Sequence, residues 1–427
     1  MALFNPTDKR TVHFMGIGGA GMSALALIAC RRGVSVSGCD VDPSGAADLQ
    51  SLGVPIARGH DASHLNGARA VVVTAAIPAS HPELERARQL GLAIVPRKVA
   101  LAELVAGAQS VGISGTHGKT TTTVMTTEAL TAAGMNPTGI AGGRVNSWKG
   151  NALVAGDQLF VVEADEFDKA FLSLHPTVAV VNNVEPDHLE CYGSMDALED
   201  AFVEFAGRAR VAVVSADDPG ARKVAARSGN RITTFGLESD ADIRISDVVQ
   251  HADRTEARIR WRNGRSLALS LKVPGVHNLR NAVAALSVVD ALGGALEPAA
   301  AALAGFEGVG RRFERLGEFA GVAVVDDYAH HPSELAATLS AARQAYPGRR
   351  LVAVFQPHLY SRTAAHGQAM GQALAAADLV IVTEIYPARE QPIAGVSGLQ
   401  VAEAAERAGA VTRFEPTRAE VGRTVYQ

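Results

Sequence analysis

The chain has 427 residues, room for two to four domains. Hydrophobic residues make up 47% and charged residues 20%, so ordinary globular cores can form. A net charge of −4 excludes a broadly basic, nucleic-acid-binding surface, and any phosphate ligand must be met by local donors.

Taken in chain order, residues 11–105 alternate β-rich runs with helical stretches. TVHFMG reads as a strand, AGMSALALIACRRG as a helix and VSVSGCD as a strand. ARAVVVTAAI is another strand, PELERARQLG a helix and LAIVP a strand. That βαβ rhythm predicts a parallel sheet covered by helices. From residue 106 the pattern restarts with QSVGISG, a strand entering a glycine loop, then a helix from Thr120. LFVVEADE and TVAVVNNV read as buried strands, and from Ala241 short strands alternate around the hairpin turn Asn263-Gly264. A third βαβ series is expected from Gly321: GVAVVDDY, a helix from Ser333, RRLVAVFQP, a helix, and ADLVIVTE. Beyond Pro387 only a short strand in VTRFEPT is legible. The expectation is an α/β protein of three domains: 1–105, 106–311 and 312–427.

The richest apolar stretch, AALSVVDALGGALEPAAAALAGF, is interrupted by Asp290, Glu297 and Pro298 and is too broken to span a bilayer. The start of the chain carries no apolar signal core. Cys30, Cys39 and Cys191 are odd in number and form no CxxC pair, which predicts reduced thiols without a disulfide framework or a zinc site. A cytoplasmic protein with no membrane or nucleic-acid partner is expected.

Two glycine loops carry the chemistry. In GISGTHGKTTTT a strand ends, small residues turn the chain and a helix begins. Free N–H groups at a helix start attract anions, Lys119 adds a mobile positive charge, and the Thr120 hydroxyl suits Mg²⁺. The loop is shorter than the usual phosphate-binding pattern, since Ile113 stands where a glycine is expected. The earlier loop runs Gly16-Ile-Gly18-Gly-Ala-Gly21, and Asp40 lies nineteen residues beyond it at the end of the next strand. By itself this is a dinucleotide fingerprint, so an NAD-dependent oxidoreductase is a competing reading. EADEFD, residues 163–168, packs four carboxylates into six residues, which calls for a cation; Glu163 is the chosen ligand, with a solvated acidic turn the alternative for Asp165, Glu166 and Asp168. His188, beside Asp187 in NNVEPDHLE, could ligate a second metal or orient a phosphate.

With GVHNLRNAVAA, GRRFERLG, DDYAHHPSE and FQPHLYSRT, these motifs follow one another in an order that resembles the Mur ligase family over nearly the whole chain. DDYAHHP with QPHLYSRT most resembles the branch that adds L-alanine to UDP-N-acetylmuramate. The resemblance implies a Rossmann-like first domain for the UDP-sugar, a P-loop ATPase-like centre and a Rossmann-like third domain for the amino acid. It places Gly16, Gly18, Gly19, Ala20, Gly21, Met22 and Ser23 on the pyrophosphate, with Asp40 and His60 also on the sugar nucleotide. Gly115, Thr116, His117, Gly118, Lys119, Thr120 and Thr121 would hold the phosphates of ATP. Thr120 and Glu163 would share one Mg²⁺, and His188 a second. Asn183, His277, Asn278, Arg312 and Asp326 would surround the adenosine. His330 or His331 and Arg362 would face the alanine; Lys119, His188, His331 and Arg362 form the catalytic set. The implied reaction is ATP-dependent acid–amino-acid ligation through an acyl phosphate, by a monomer or homodimer.

Three departures stand out. Residues 189–211 contain no lysine, so the carbamylated lysine of several sibling ligases is impossible here. Leu359 occupies a place where many alanine-adding members have arginine. The chain stops at Gln427 before a further strand and glycine-rich stretch common in the family, so the third domain is expected to be truncated. Alternatives are a ligase that attaches a whole tripeptide, the NAD enzyme above, and a catalytically impaired UDP-sugar binder.

Overall fold

The computed structural model describes residues 2–229, 231–388 and 390–426. The chain forms two compact units: one comprises Met1–Asp247, Ala257–Leu269 and Arg280–Gly310, the other Val248–Glu256, Ser270–Leu279 and Arg311–Gln427.

The first unit opens with a parallel sheet of five strands among the described residues. Their spatial order is Ile56–Arg58, Val36–Asp40, Thr11–Met15, Ala68–Val73 and Ala93–Pro96. The short strand Ile56–Arg58 is too brief to show a period in the sequence. A second sheet of ten described strands has Gln109–Ser114 near its middle, with Leu159–Glu163 on one side and Val178–Val181 on the other, all parallel. These strands are continuous runs of buried valine, isoleucine and phenylalanine, as a sheet covered on both faces requires. The helix Ala20–Arg31 joins the two sheets in one core: its Leu25 and Ile28 belong to the same buried cluster as Ile140, Ala152 and Phe160. Asn151 reinforces the contact by donating from Nδ2 to the Ser23 hydroxyl at 2.9 Å.

In the second unit three parallel strands, Val352–Phe355, Leu379–Val382 and Thr412–Phe414, pack against the helices Pro332–Ala345, Tyr360–Leu374 and Leu399–Arg407. The strand Val322–Asp326 does not open a βαβ series as expected. It pairs antiparallel with Glu314–Phe319 in a separate two-stranded sheet. The physical reason is the connection, since Ala320 (φ 49°) and Gly321 (φ 79°) both adopt positive φ. Two such residues in succession form the tight turn that folds a chain back on itself. Among the described residues no helix is long and apolar enough to cross a membrane.

Candidate active site

Three adjacent parallel strands end side by side, with Val181 paired to Ser114 and Glu163 paired to Ile113. Ligands of open α/β sheets bind beyond the carboxyl ends of the strands. The three segments that emerge there are the glycine–lysine loop, the acidic EADEFD turn and NNVEPDH.

The glycine–lysine loop is laced to its neighbour. His117 N–H donates to Asn183 Oδ1 at 2.7 Å, Asn183 Nδ2 donates to the His117 carbonyl at 3.3 Å, and Glu185 N–H donates to the Thr116 hydroxyl at 2.8 Å. Asn183 therefore braces the loop. Gly118 enters the helix Lys119–Ala132 at φ 78°, and a β-carbon there would lie 2.7 Å from Oδ1 of Asn281. Only glycine satisfies both the dihedral and the space.

Lys119 Nζ donates to the carbonyls of Gly115 (2.7 Å) and Thr116 (3.2 Å) and pairs with both oxygens of Glu166 at 2.8 and 2.9 Å. Burial works against the ammonium, but the carboxylates of Glu166, Asp165 and Glu163 outweigh it and raise the Lys119 pKa. Burial likewise raises the Glu166 carboxyl, against the pull of Lys119. Glu166 is thus the loop's buried counter-charge, a role that the sequence hid among four neighbouring acids. Its segment is anchored by Phe171, which stacks on Phe205 at 5.0 Å and meets Phe202 edge-on at 5.1 Å. Glu163 accepts a hydrogen bond from Gly142 N–H. Its carboxylate and the Thr120 hydroxyl on the first turn of the helix are hard oxygen donors beyond the carboxyl ends of adjacent strands, a donor set that fits Mg²⁺. His188, at φ 53°, places Nε2 3.7 Å from Asp187 and Nδ1 3.4 Å from Glu190, and its ring meets Phe167 edge-on at 5.1 Å.

The first glycine loop is built differently. Asp40 Oδ2 accepts from Gly18 N–H at 2.8 Å and so braces the loop, while Oδ1 accepts from Asp42 N–H at 2.9 Å in the turn that follows its own strand. A β-carbon on Gly18 would lie 2.4 Å from the Asp42 carbonyl. Gly16 takes φ 81°, and Gly19 N–H donates back to the Gly16 carbonyl at 3.2 Å. The side chains of Met22 and Ser23 are buried, and their N–H groups already bond the Gly19 carbonyl, which leaves the N–H groups of Ala20 and Gly21 at the helix start. Arg97, which sequence reading passed over, lies against Gly21: a β-carbon there would be 2.7 Å from Nη1. Its Nη2 is 3.7 Å from Asp165, and the neighbouring Lys98 pairs with Asp168 at 2.8 Å. Arg97 thus links the first loop to the acidic turn, and Lys98 adds a second tie from the same helix to that turn. His60 lies in a separate buried cluster around Glu83.

In the second unit, Arg362 is buried and its Nη1 lies 3.1 Å from His358 Nδ1. His358 stacks on Tyr386 at 5.8 Å and lies 6.2 Å from the His330 ring, which meets Tyr328 edge-on at 5.1 Å. His330 Nδ1 is 2.7 Å from the Tyr328 carbonyl, an acceptor, so Nδ1 carries the proton and Nε2 keeps its lone pair. Burial lowers the His330 pKa despite Glu334, keeping the ring neutral near pH 7. Leu359, just before the helix of Arg362, sits at φ 71°, a left-handed conformation strained for leucine. His331 caps the helix Pro332–Ala345, and Glu334 accepts from the N–H groups of both His330 and His331. Arg312 faces Glu334 at 3.4 Å and Asp326 faces Arg311 at 3.9 Å, while the adjacent Asp327 is half-buried and accepts from two backbone N–H groups. His277 and Asn278 begin the helix Val276–Ala291, where Asn278 Nδ2 donates to the Pro274 carbonyl at 2.7 Å. Of these groups, His358 carried no signal separating it from its neighbours in QPHLYSRT.

Family models match the chain in three consecutive stretches. Residues 11–109 match the Mur ligase family catalytic domain, 113–289 the Mur ligase middle domain and 311–427 the Mur ligase glutamate ligase domain. The chain is 45% identical over 412 residues to the UDP-N-acetylmuramate–L-alanine ligase of Streptomyces coelicolor, covering 95% of this chain and 89% of that one. It is 46% identical over 409 residues to the enzyme of the same name from Clavibacter michiganensis, covering 95% and 86%. The crystal structure of UDP-N-acetylmuramate–alanine ligase from Thermotoga maritima superposes with a TM-score of 0.84 at 30% identity, covering 97% of this chain and 92% of that one. The chain belongs to the Mur ligase family.

Proposed function

We propose that this protein joins L-alanine to the lactyl carboxylate of UDP-N-acetylmuramate with the hydrolysis of ATP to ADP and phosphate, a step of peptidoglycan precursor synthesis. The observation that carries the reading is the convergence of the glycine–lysine loop, its Lys119–Glu166 pair and Glu163 at the carboxyl ends of adjacent strands. The division of labour follows the boundaries near 105 and 312: sugar nucleotide first, ATP in the centre, amino acid last.

A carboxylate is a poor acyl donor, so its oxygen must first take the γ-phosphoryl group. Two anions meet in that step. Lys119, kept charged by Glu166, offsets the repulsion and stabilises charge spread over the transferring group. N–H groups of the 115–118 loop and the helix start cradle the phosphates. Thr120 and Glu163 would hold Mg²⁺, with His188 placed for a second ion, and the bound ions would supply further neutralisation of the phosphates. Ala20 and Gly21 N–H groups meet the pyrophosphate of UDP-N-acetylmuramate. The alanine carboxylate suits the two-pronged Arg362 guanidinium. The amine must lose a proton before it attacks the acyl phosphate, and neutral His330, with its Nε2 lone pair, is a fitting acceptor.

The test is ADP release with UDP-N-acetylmuramate and Mg²⁺ against a panel of amino acids. Stimulation by L-alanine supports the reading. Stimulation only by a tripeptide, or UDP-N-acetylmuramate binding with no ADP, would refute it.

A further inference from the structure

The first sheet holds a buried group of side chains that the ligase reaction does not use. His13 and Glu83 are each 1% exposed as side chains, Cys39 is fully buried, and His64 and His60 are 20% and 17% exposed. His13 and Cys39 stand on neighbouring parallel strands, with Met15 paired to Cys39 and His13 to Ser37. Glu83 opens the helix Pro82–Gln89, and His64 closes the short turn Ala62–Leu65. One ligand atom from each of His13, Cys39, His64 and Glu83 lies within 4.8 Å of all the others.

We propose that His13 Nε2, Cys39 Sγ, His64 Nδ1 and a carboxylate oxygen of Glu83 form a closed tetrahedral zinc site. The inference stands independently of the ligase reading. A tetrahedral zinc with bonds of about 2.0–2.3 Å has ligand–ligand edges of roughly 3.3–3.8 Å. Four of the six ligand–ligand edges bracket that range: His13 Nε2 to Cys39 Sγ is 3.3 Å, Cys39 Sγ to Glu83 is 3.5 Å, His64 Nδ1 to Glu83 Oε1 is 3.1 Å and His13 Nε2 to Glu83 Oε1 is 3.9 Å. Charge balance points the same way. A thiolate and a carboxylate with two neutral imidazoles exactly cancel one divalent cation, whereas a carboxylate this deeply buried needs a compensating charge. The outer partners are in place: His13 Nδ1 lies 3.0 Å from the Ser37 hydroxyl, and His60 Nδ1 lies 3.0 Å from the second Glu83 oxygen. A sulfur ligand and two imidazoles select zinc over magnesium. The Cys39 carbonyl accepts the N–H groups of Gly16 and Ile17 at 2.9 and 3.2 Å, and Asp40 braces Gly18, so the metal would pin the strand end that carries the first glycine loop. This replaces the expectation of no zinc site, which rested on the missing CxxC; here the ligands come from four separate segments.

The test is metal content and zinc affinity of the full chain in excess Mg²⁺, using a chelator-buffered Zn²⁺ titration, with Co²⁺ substitution as a spectroscopic probe. The expected result is one zinc per chain, and a cobalt form with intense tetrahedral bands and a thiolate charge-transfer band. C39S and H64N should each weaken zinc binding by more than the roughly 10–100-fold that follows loss of an outer partner, and H60A should fall within that range. A wild-type chain that takes up no zinc, a cobalt spectrum of octahedral type without the thiolate band, or folded C39S and H64N that bind zinc as wild type would each overturn the proposal. The cobalt spectrum of the unmodified chain decides the matter even where a variant does not fold.

Discussion

The two glycine loops look alike as strings of residues and differ in what surrounds them. Around Gly16–Gly21 the fixed charge faces inward, with one Asp40 oxygen engaged by the loop N–H of Gly18 and the other by Asp42 N–H. Around Gly115–Gly118 a lysine and a buried glutamate form an ion pair at the loop's mouth. The first arrangement is a rigid anion cradle suited to holding a pyrophosphate that does not react. On the proposed reading, the second would bring the Lys119 ammonium and carboxylates for Mg²⁺ to phosphates that do. Glycine spacing identifies a phosphate loop; the neighbouring strand ends decide what it does with the phosphate.

The comparison breaks most sharply at Lys119. Lys119→Ala should lower ADP release by roughly 10²–10³-fold or more, as loss of one transition-state charge donor does. UDP-N-acetylmuramate binding, measured by calorimetry, should stay near wild type; an equal loss of both would mean that the two loops are not separate sites. Next, Arg362→Ala removes charge-assisted bonds worth about 1.5–3 kcal/mol each, so the KM for L-alanine should rise roughly 10–100-fold while the KM for ATP holds. A smaller effect is expected at the first loop. Asp40→Asn keeps one acceptor oxygen and turns an amide N–H₂ on a backbone donor, which should raise the KM for UDP-N-acetylmuramate about 10-fold with little change in kcat. The smallest effect concerns pH. The folded pKa of His330 is depressed, so the unfolded chain binds its proton first and this group's contribution to stability is lost as pH falls below its ordinary value of 6.5. His330→Gln should flatten that loss in urea melts at pH 7.5 and 5.5, and an unchanged slope would show that the ring is not kept neutral by burial.

Much of this was legible along the chain. GISGTHGKTTTT reads as strand, loop and helix because the buried run, the small residues and the helix-forming stretch follow one another without a gap, and the structure has that order. EADEFD at a strand end was equally plain. The choice of Lys119's partner among its acids was not, because Glu163, Asp165, Glu166 and Asp168 are chemically alike in sequence; Phe171 packing and the φ near 52° at Asp168 and Lys169 turn Glu166 inward. Arg97 was missed because it meets Gly21 and Asp165 only across the fold, and His358 because its ring neighbours Tyr386 and His330 are remote in sequence. The hairpin at Ala320-Gly321 was misread because one strand period looks the same in a parallel or antiparallel pair.

The sequence alone determined the α/β alternation, the two loops and family membership, since these rest on short-range order: apolar periods, turn residues and motifs in a fixed succession. Tertiary structure alone decided which carboxylate neutralises Lys119, that Asp40 braces Gly18 of the first loop, and that His13, Cys39, His64 and Glu83 cluster together. The reason is that charge pairing and ligand clustering depend on distances of about 3–4 Å. Such distances between remote residues are set by strand register and helix packing, which no local pattern encodes.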